Sequence, residues 1–220
     1  MPTSLVTGSN RGIGLELTKQ LRERGHDVIA VCRTASKELT ATGARVEAGV
    51  DVADPKALAA LTKKLGDTKL DLVIHNAGIL DADRLDALDA DSLTRSFQVN
   101  AMGPLLLTAA LEKNLAKGAK VALITSRMGS IADNSSGGMY AYRMSKAALN
   151  MAGVSLAKDL ASRNVAVVIL HPGPVKTEMT HGHGDIEAPD AVRNLLARID
   201  ELTPATTGKF LHANGQELPW

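Results

Sequence analysis

Short, almost continuously apolar runs alternate along this chain with longer stretches in which apolar residues return every three or four positions. The runs at residues 4–7, 27–32, 44–50, 70–75, 120–126 and 165–173, with a last at 208–215, predict strands. They are apolar throughout rather than alternating, which is the pattern of parallel strands covered on both faces. Between the first two, residues 12–25 predict a helix, with Ile13, Leu17 and Leu21 four apart and Gly25 placed to end it. Residues 55–66 predict another, with Asp54 as N-cap and Pro55 at the first helical position. Two longer helical stretches follow, at 91–115 and from Tyr142 to about 163. Strand and helix alternating this regularly predict a doubly wound α/β fold, and no linker or repeat divides residues 1–220 into more than one domain.

Composition narrows the function. Hydrophobic residues make up 45% of the 220 and charged residues 22%, as in an ordinary soluble protein. Aromatics are only 2%, so the core is expected to be aliphatic. A net charge of +1 offers no electrostatic basis for binding nucleic acid or an anionic membrane, and neither is expected as a partner. A single cysteine, Cys32, excludes an internal disulfide and fits a reducing compartment. No apolar run approaches the roughly 18 residues of a membrane span, and the first residues lack the form of a signal peptide, so a cytoplasmic location is expected. The polar, glycine-containing stretch 177–190 reads as a mobile loop or lid. Its His181 and His183, with no cysteine or acid cluster beside them, make a poor zinc site, and no metal is expected.

The sequence TGSNRGIG, residues 7–14, stands between the first strand and the first helix. Gly8, Gly12 and Gly14 permit a tight turn and a close approach of backbone to a diphosphate, and the helix start after them offers free N–H groups to an anion. Ser9, Asn10, Arg11 and Ile13 complete this candidate nucleotide loop. A site for NAD usually carries an acid at the end of the second strand to hold the ribose hydroxyls. Cys32 stands there instead, followed by Arg33, and Asp27 is at the other end of the strand. Arg33 and Arg11 are suited to a 2′-phosphate, so NADP(H) is expected over NAD(H).

Residues 138–150, GMYAYRMSKAALN, hold both tyrosines of the chain. On a helix Tyr142 and Lys146, at i and i+4, share a face, whereas Tyr140 is six residues from Lys146 and faces elsewhere. A nearby ammonium favours phenolate and is expected to lower the Tyr142 pKa from about 10. Ser126 closes the fifth strand with the spacing S-x-x-G, and alternation is expected to send its rival Thr125 to the opposite face.

These segments together resemble the short-chain dehydrogenase/reductase family over the length of the chain. The glycine loop G-x-x-x-G-x-G, DVAD (51–54), HNAG (75–78) for the family's N-N-A-G, QVNAMGP (98–104), TSRMGS (125–130), YRMSK (142–146) and HPGPVKT (171–177) occur in the family's order. Within the family, SRMGSI and the terminal ELPW are most similar to the C-factor and sniffer-like carbonyl reductase group. The resemblance implies a single Rossmann-type sheet of about seven parallel strands in the order 3-2-1-4-5-6-7, with helices on both faces. It implies that Asp51, Val52, Asn76, Ala77, Gly78, Pro172, Gly173, Val175 and Thr177 bind the cofactor beside the glycine loop and Arg33, together with Tyr142 and Lys146. The catalytic set it implies is Asn100 as part of a proton relay, Ser126 holding the carbonyl oxygen, Tyr142 as acid or base and Lys146 beside it. The reaction implied is NADPH-dependent reduction of a ketone, aldehyde or quinone, or the reverse alcohol oxidation, in a homodimer or homotetramer paired through the long helices. An NADP(H)-binding sensor or signalling protein with little turnover is the alternative. The extra segment 133–138 leaves open whether Ser126 and Tyr142 meet.

Overall fold

The computed structural model describes residues 1–220. Its seven strands are β1 Thr3–Thr7, β2 Asp27–Val31, β3 Arg45–Glu47, β4 Leu70–His75, β5 Leu115–Ile124, β6 Ala166–His171 and β7 Phe210–His212. All pair in parallel, in one sheet of order β3-β2-β1-β4-β5-β6-β7. The helices are α1 Gly12–Glu23, α2 Lys37–Thr40, α3 Pro55–Leu65, α4 Ala90–Phe97, α5 Gly103–Ala110, α6 Tyr140–Asp159 and α7 Ala188–Asp200. This is the Rossmann-type doubly wound arrangement. No helix is long and apolar enough to cross a membrane.

Successive residues of one strand point to opposite faces, and both faces are buried here. Leu5, Val73, Leu123 and Ile169 pack with Leu58 and Leu61 of α3, Leu107 of α5 and Leu149 of α6. Their neighbours Val6, Ile74, Ile124 and Leu170 pack on the other side with Leu17 and Leu21 of α1 and Leu195 and Leu196 of α7. Two faces to cover explain why the strands read as unbroken apolar runs. The core is aliphatic, with Phe210 its one large aromatic member.

Three elements differ from the sequence expectation. The stretch 91–115 is not one helix. It divides into α4, a π-helical turn Gln98–Met102 and α5, which ends at Ala110. Pro104 lacks the N–H that would close a helical bond to Asn100, and Gly103 lies where a Cβ would stand 2.7 Å from the Val52 carbonyl, so the regular helix yields here. Leu115 belongs to β5, paired with Leu70. The Asn114 side chain donates to the Gly66 and Thr68 carbonyls at 2.7 and 2.9 Å and pulls the chain into the sheet. In residues 177–190, a single helical turn Glu178–Thr180 and a bridge between Val175 and Ile186 precede α7, an amphipathic helix that the sequence reading absorbed into the loop and its surroundings.

Candidate active site

The carboxyl ends of β1, β2, β4 and β5 open onto a cavity of about 350 Å³. Gly8 and Gly12 have φ of +69° and +53°, which turns the chain sharply between β1 and α1. Gly14 is fixed by space: a Cβ there would meet the Gly8 carbonyl oxygen at 2.1 Å. α1 starts with no side-chain cap and no acid in its first turn, so its free N–H groups face the cavity with nothing to compete with an anion. These residues fit a dinucleotide's diphosphate. At the far end, buried Cys32 and exposed Arg33 line the wall, and residues 32–36 between β2 and α2 include no acid. Arg11 forms an ion pair across the mouth with Glu178.

Of the residues expected at the cofactor, Gly8, Asn10, Arg11, Gly12, Ile13, Arg33, Asp51, Val52, Asn76, Ala77, Gly78, Tyr142, Lys146, Pro172 and Thr177 line the cavity. Ser9, Gly173 and Val175 do not. Ser9 is fully buried and its hydroxyl donates to the Val6 carbonyl at 2.7 Å, so it braces the loop from within. Gly173 takes φ +85° beside the His212 ring, and Val175 is buried in its bridge to Ile186. Arg95 of α4 went unnoticed in the sequence. It lines the cavity and donates to Asp51 at 2.8 Å. Burial pushes the Asp51 carboxyl up, but hydrogen bonds from Arg95 and the Ala53 N–H outweigh it and hold the pKa below the usual range.

Ser126, Tyr142 and Lys146 converge where β5 meets α6. Ser126 lies near enough to the Tyr142 phenol to draw its pKa down, and its oxygen accepts the Met128 N–H at 3.1 Å. The extra segment 133–138 therefore does not separate them. Lys146 Nζ is buried, donates to the Ile124 carbonyl at 2.9 Å and lies 5.7 Å from the centre of the Tyr142 ring. The expectation that the ammonium lowers the phenol pKa does not hold in this structure. Burial pushes Tyr142 up to about 12, with a smaller opposite effect from nearby Ser126, and burial pushes Lys146 down to about 8.

The expected separation of Thr125 from Ser126 also fails, because β5 ends at Ile124 and alternation lapses. Both hydroxyls reach α6, and they differ in partner: Thr125 donates to Asn150 Oδ1 at 2.7 Å and is thereby occupied. Asn150 in turn donates to the Gly129 carbonyl at 3.3 Å and fixes the turn that carries Ser126. Asn100 is fully buried within the π-helical turn. Its amide donates to the Ile79 carbonyl at 2.9 Å and Ser145 Oγ at 3.0 Å, and its oxygen accepts the Ile79 N–H at 2.8 Å. It touches Lys146 through none of these bonds. No group of three or more His, Cys, Asp or Glu side chains is placed to hold a metal.

Residues 2–200 match the family model described as short chain dehydrogenase. The 1-hydroxy-2-glutathionyl-2-methyl-3-butene dehydrogenase of Rhodococcus sp. is 43% identical over all of both chains. The C-signal of Myxococcus xanthus is 46% identical over 69% of this chain and 93% of that protein. The NADPH-bound carbonyl reductase from chicken fatty liver superposes with a TM-score of 0.91 at 29% identity, over 100% of this chain and 99% of that one. With its strand order, glycine loop and Ser126–Tyr142–Lys146 cluster, this chain belongs to the short-chain dehydrogenase/reductase family of oxidoreductases.

Proposed function

We propose that the protein is an NADPH-dependent carbonyl reductase, converting a ketone, aldehyde or quinone to an alcohol, with Tyr142 as the general acid. The observation that carries this reading is Tyr142 with buried Lys146 one helical turn on, its Nζ 5.7 Å from the ring centre, both at the wall of the cavity that the glycine loop opens and with Ser126 beside the phenol. Bound NADPH would supply the hydride that adds to the carbonyl carbon. The Tyr142 phenol gives its proton to the carbonyl oxygen, so oxygen gains the proton as carbon gains the hydride. A pKa of about 12 keeps the phenol in its acid form at neutral pH. The Ser126 hydroxyl would donate to the same oxygen as charge grows on it, and Lys146, still protonated below pH 8, supplies a buried positive charge nearby. Asn100 holds the Ile79 backbone beside Lys146 and would serve a proton relay through ordered water.

The same proton transfer run backwards makes Tyr142 the base in alcohol oxidation. The Rhodococcus relative is named for an alcohol and the chicken protein for a carbonyl, so both directions are represented among the similar proteins. NADP(H) is preferred on the ground that Cys32 stands where an acid would select NAD(H), with Arg33 beside it. The exposed apolar residues Leu105 and Leu106 of α5 and Met144 and Met151 of α6 support a homodimer or homotetramer. The decisive experiment is NADPH oxidation with a panel of aldehydes, ketones and quinones, by wild type and Tyr142→Phe. Loss of about 10²–10⁴-fold in turnover with NADPH binding retained is expected. Unchanged turnover would remove Tyr142 from the reaction.

A further inference from the structure

We propose that Asp83 is a positioning residue for Tyr142, acting as a cap supplied to α6 from another part of the chain. The proposal rests on the reading above that Tyr142 is the acid. α6 starts without a cap of its own. Met139, the residue before it, sits at φ +53° and offers no side-chain bond. It follows Gly137 and Gly138 at +63° and +64°. Three successive left-handed residues, two of them glycine, form a turn that is weakly determined by its own sequence.

The start of α6 is fixed from outside. The Tyr140 N–H donates to Asp83 Oδ1 at 2.5 Å and the Ala141 N–H to Oδ2 at 2.7 Å. The Met139 N–H donates to the Asp83 carbonyl at 3.2 Å. One carboxylate thus serves the first two N–H groups of the helix, and its charge lies at the positive end of the helix dipole. Tyr142 is the next residue. The turn that aims its phenol at Ser126 is therefore the turn Asp83 holds.

Asp83 is anchored to the site at its other end as well. Its segment leaves β4 through Asn76–Gly78, which line the cavity, and through Ile79, whose N–H and carbonyl are both bonded by Asn100. The path from Asn100 to Ile79 to Asp83 to the first turn of α6 joins the cavity wall to the tyrosine. Arg143, on α6 itself, bonds the Gly138 carbonyl at 3.1 Å and Ser136 Oγ at 2.9 Å, which fastens the preceding loop to the helix, and its one bond toward the turn after β5, to the Met128 carbonyl, is long at 3.5 Å.

The test uses Asp83→Ala, Asp83→Asn and, as control, Arg84→Ala, whose side chain is exposed and paired only with Asp86. Amide hydrogen exchange is measured in the free protein, and kcat and the Kd for NADPH are measured alongside. In Asp83→Ala, exchange at residues 140–144 is expected to rise about five- to tenfold, with a fall in Tm of about 2–4 °C. The kcat is expected to fall about ten- to a hundredfold, as a displaced catalytic group requires, while Kd stays within twofold. Asp83→Asn keeps one acceptor oxygen and should recover part of both losses, and Arg84→Ala should match wild type. Unchanged exchange at 140–144 overturns the cap whether or not any carbonyl is turned over. A kcat within twofold of wild type, or a loss of NADPH binding that parallels the loss of kcat, overturns the positioning role. Absence of wild-type turnover on every carbonyl would instead strike the reading of Tyr142 as acid, and with it the kinetic role of Asp83.

Discussion

Lys146 Nζ lies 5.7 Å from the centre of the Tyr142 ring and gives its hydrogen bond to the Ile124 carbonyl instead of the phenol. Burial acts on the two groups in opposite directions, raising the phenol pKa to about 12 and lowering the ammonium pKa to about 8. Each charged form is disfavoured by the same loss of water. The site therefore keeps an amine charged at neutral pH against its surroundings, which is a cost in stability accepted for chemistry.

That cost can be measured through Lys146→Met. A folded pKa of about 8 against an ordinary 10.5 means that the folded state is favoured above pH 10.5 and loses that advantage as pH falls through 8. At pH 7 the whole penalty is present, about 3 kcal/mol, less about 1–2 for the Ile124 carbonyl left without its donor. Lys146→Met is expected to gain about 1–2 kcal/mol in urea unfolding at pH 7 while losing turnover. The gain should disappear near pH 11. A variant less stable than wild type at pH 7 would show that the amine is not disfavoured in the fold.

The same group sets the alkaline limit of activity. The pH dependence of kcat/KM reports ionisations of the free enzyme. Carbonyl reduction is expected to decline above pH 8, where Lys146 sheds its proton, and not near 10, where an ordinary phenol would ionise. Lys146→Arg, which stays charged, should shift the decline upward by more than one pH unit in whatever activity it keeps. A limb that stays at the same pH in this variant would assign it to another group.

What could be read from the sequence followed from local constraint. The strands were legible because both faces of each are buried, so Leu5 and Val6, or Leu123 and Ile124, are alike in character though they face opposite layers. The glycine loop and the Tyr142–Lys146 spacing were legible because each is contiguous. α7 was missed although Val192, Leu195, Leu196 and Ile199 have helical spacing, since the polar glycine-bearing segment before it drew the boundary too far along. The start of β5 was misplaced because Leu111 and Leu115 are four apart and buried, as in a helix. Asp83, Arg95 and Asn150 carry no local signal. Their partners Tyr140, Asp51 and Thr125 lie 57, 44 and 25 residues away.

Cofactor choice is expected to turn on Arg33. Replacing it with Asp removes a cation suited to a 2′-phosphate and adds an acid suited to ribose hydroxyls, next to Cys32 at the end of β2. A hydrogen bond between charged groups contributes about 1.5–3 kcal/mol. The Kd for NADPH should rise about 10–150-fold while that for NADH falls. Titration by fluorescence decides this, and equal changes for both cofactors would place the selectivity elsewhere, with Arg11 the next residue to test.

Association should depend on the apolar surface of α5 and α6. Sedimentation of the wild type is expected to give a mass of two or four times 23.1 kDa. Leu105→Asp with Met151→Lys puts charge on two exposed positions, at 41% and 68% exposure, so the fold should tolerate both. The double variant is expected to sediment as a single chain. A wild type already monomeric at micromolar concentration would sink this assignment.

His75 is expected to make the fold sensitive to acid. It replaces the first Asn of the family's N-N-A-G, is 2% exposed, and its Nε2 bonds Thr108 Oγ1 at 2.8 Å. The Thr108 hydroxyl already donates to the Pro104 carbonyl, so Nε2 carries the proton in this bond and the ring is neutral. Burial holds its pKa at about 3, against 6.5 when unfolded. The unfolded chain therefore binds a proton between pH 6.5 and 3 that the folded chain refuses, and stability falls as pH falls through that window. At pH 5 the loss from this one ring is about 2 kcal/mol. His171, also held at about 3 by burial and by the nearby His212, adds a similar loss. His75→Asn should reduce the drop in unfolding free energy between pH 7 and pH 5 by about 2 kcal/mol, whatever the substitution costs at pH 7, because that cost is common to both measurements. An identical drop in wild type and variant would mean that the buried ring takes up its proton without opening the fold.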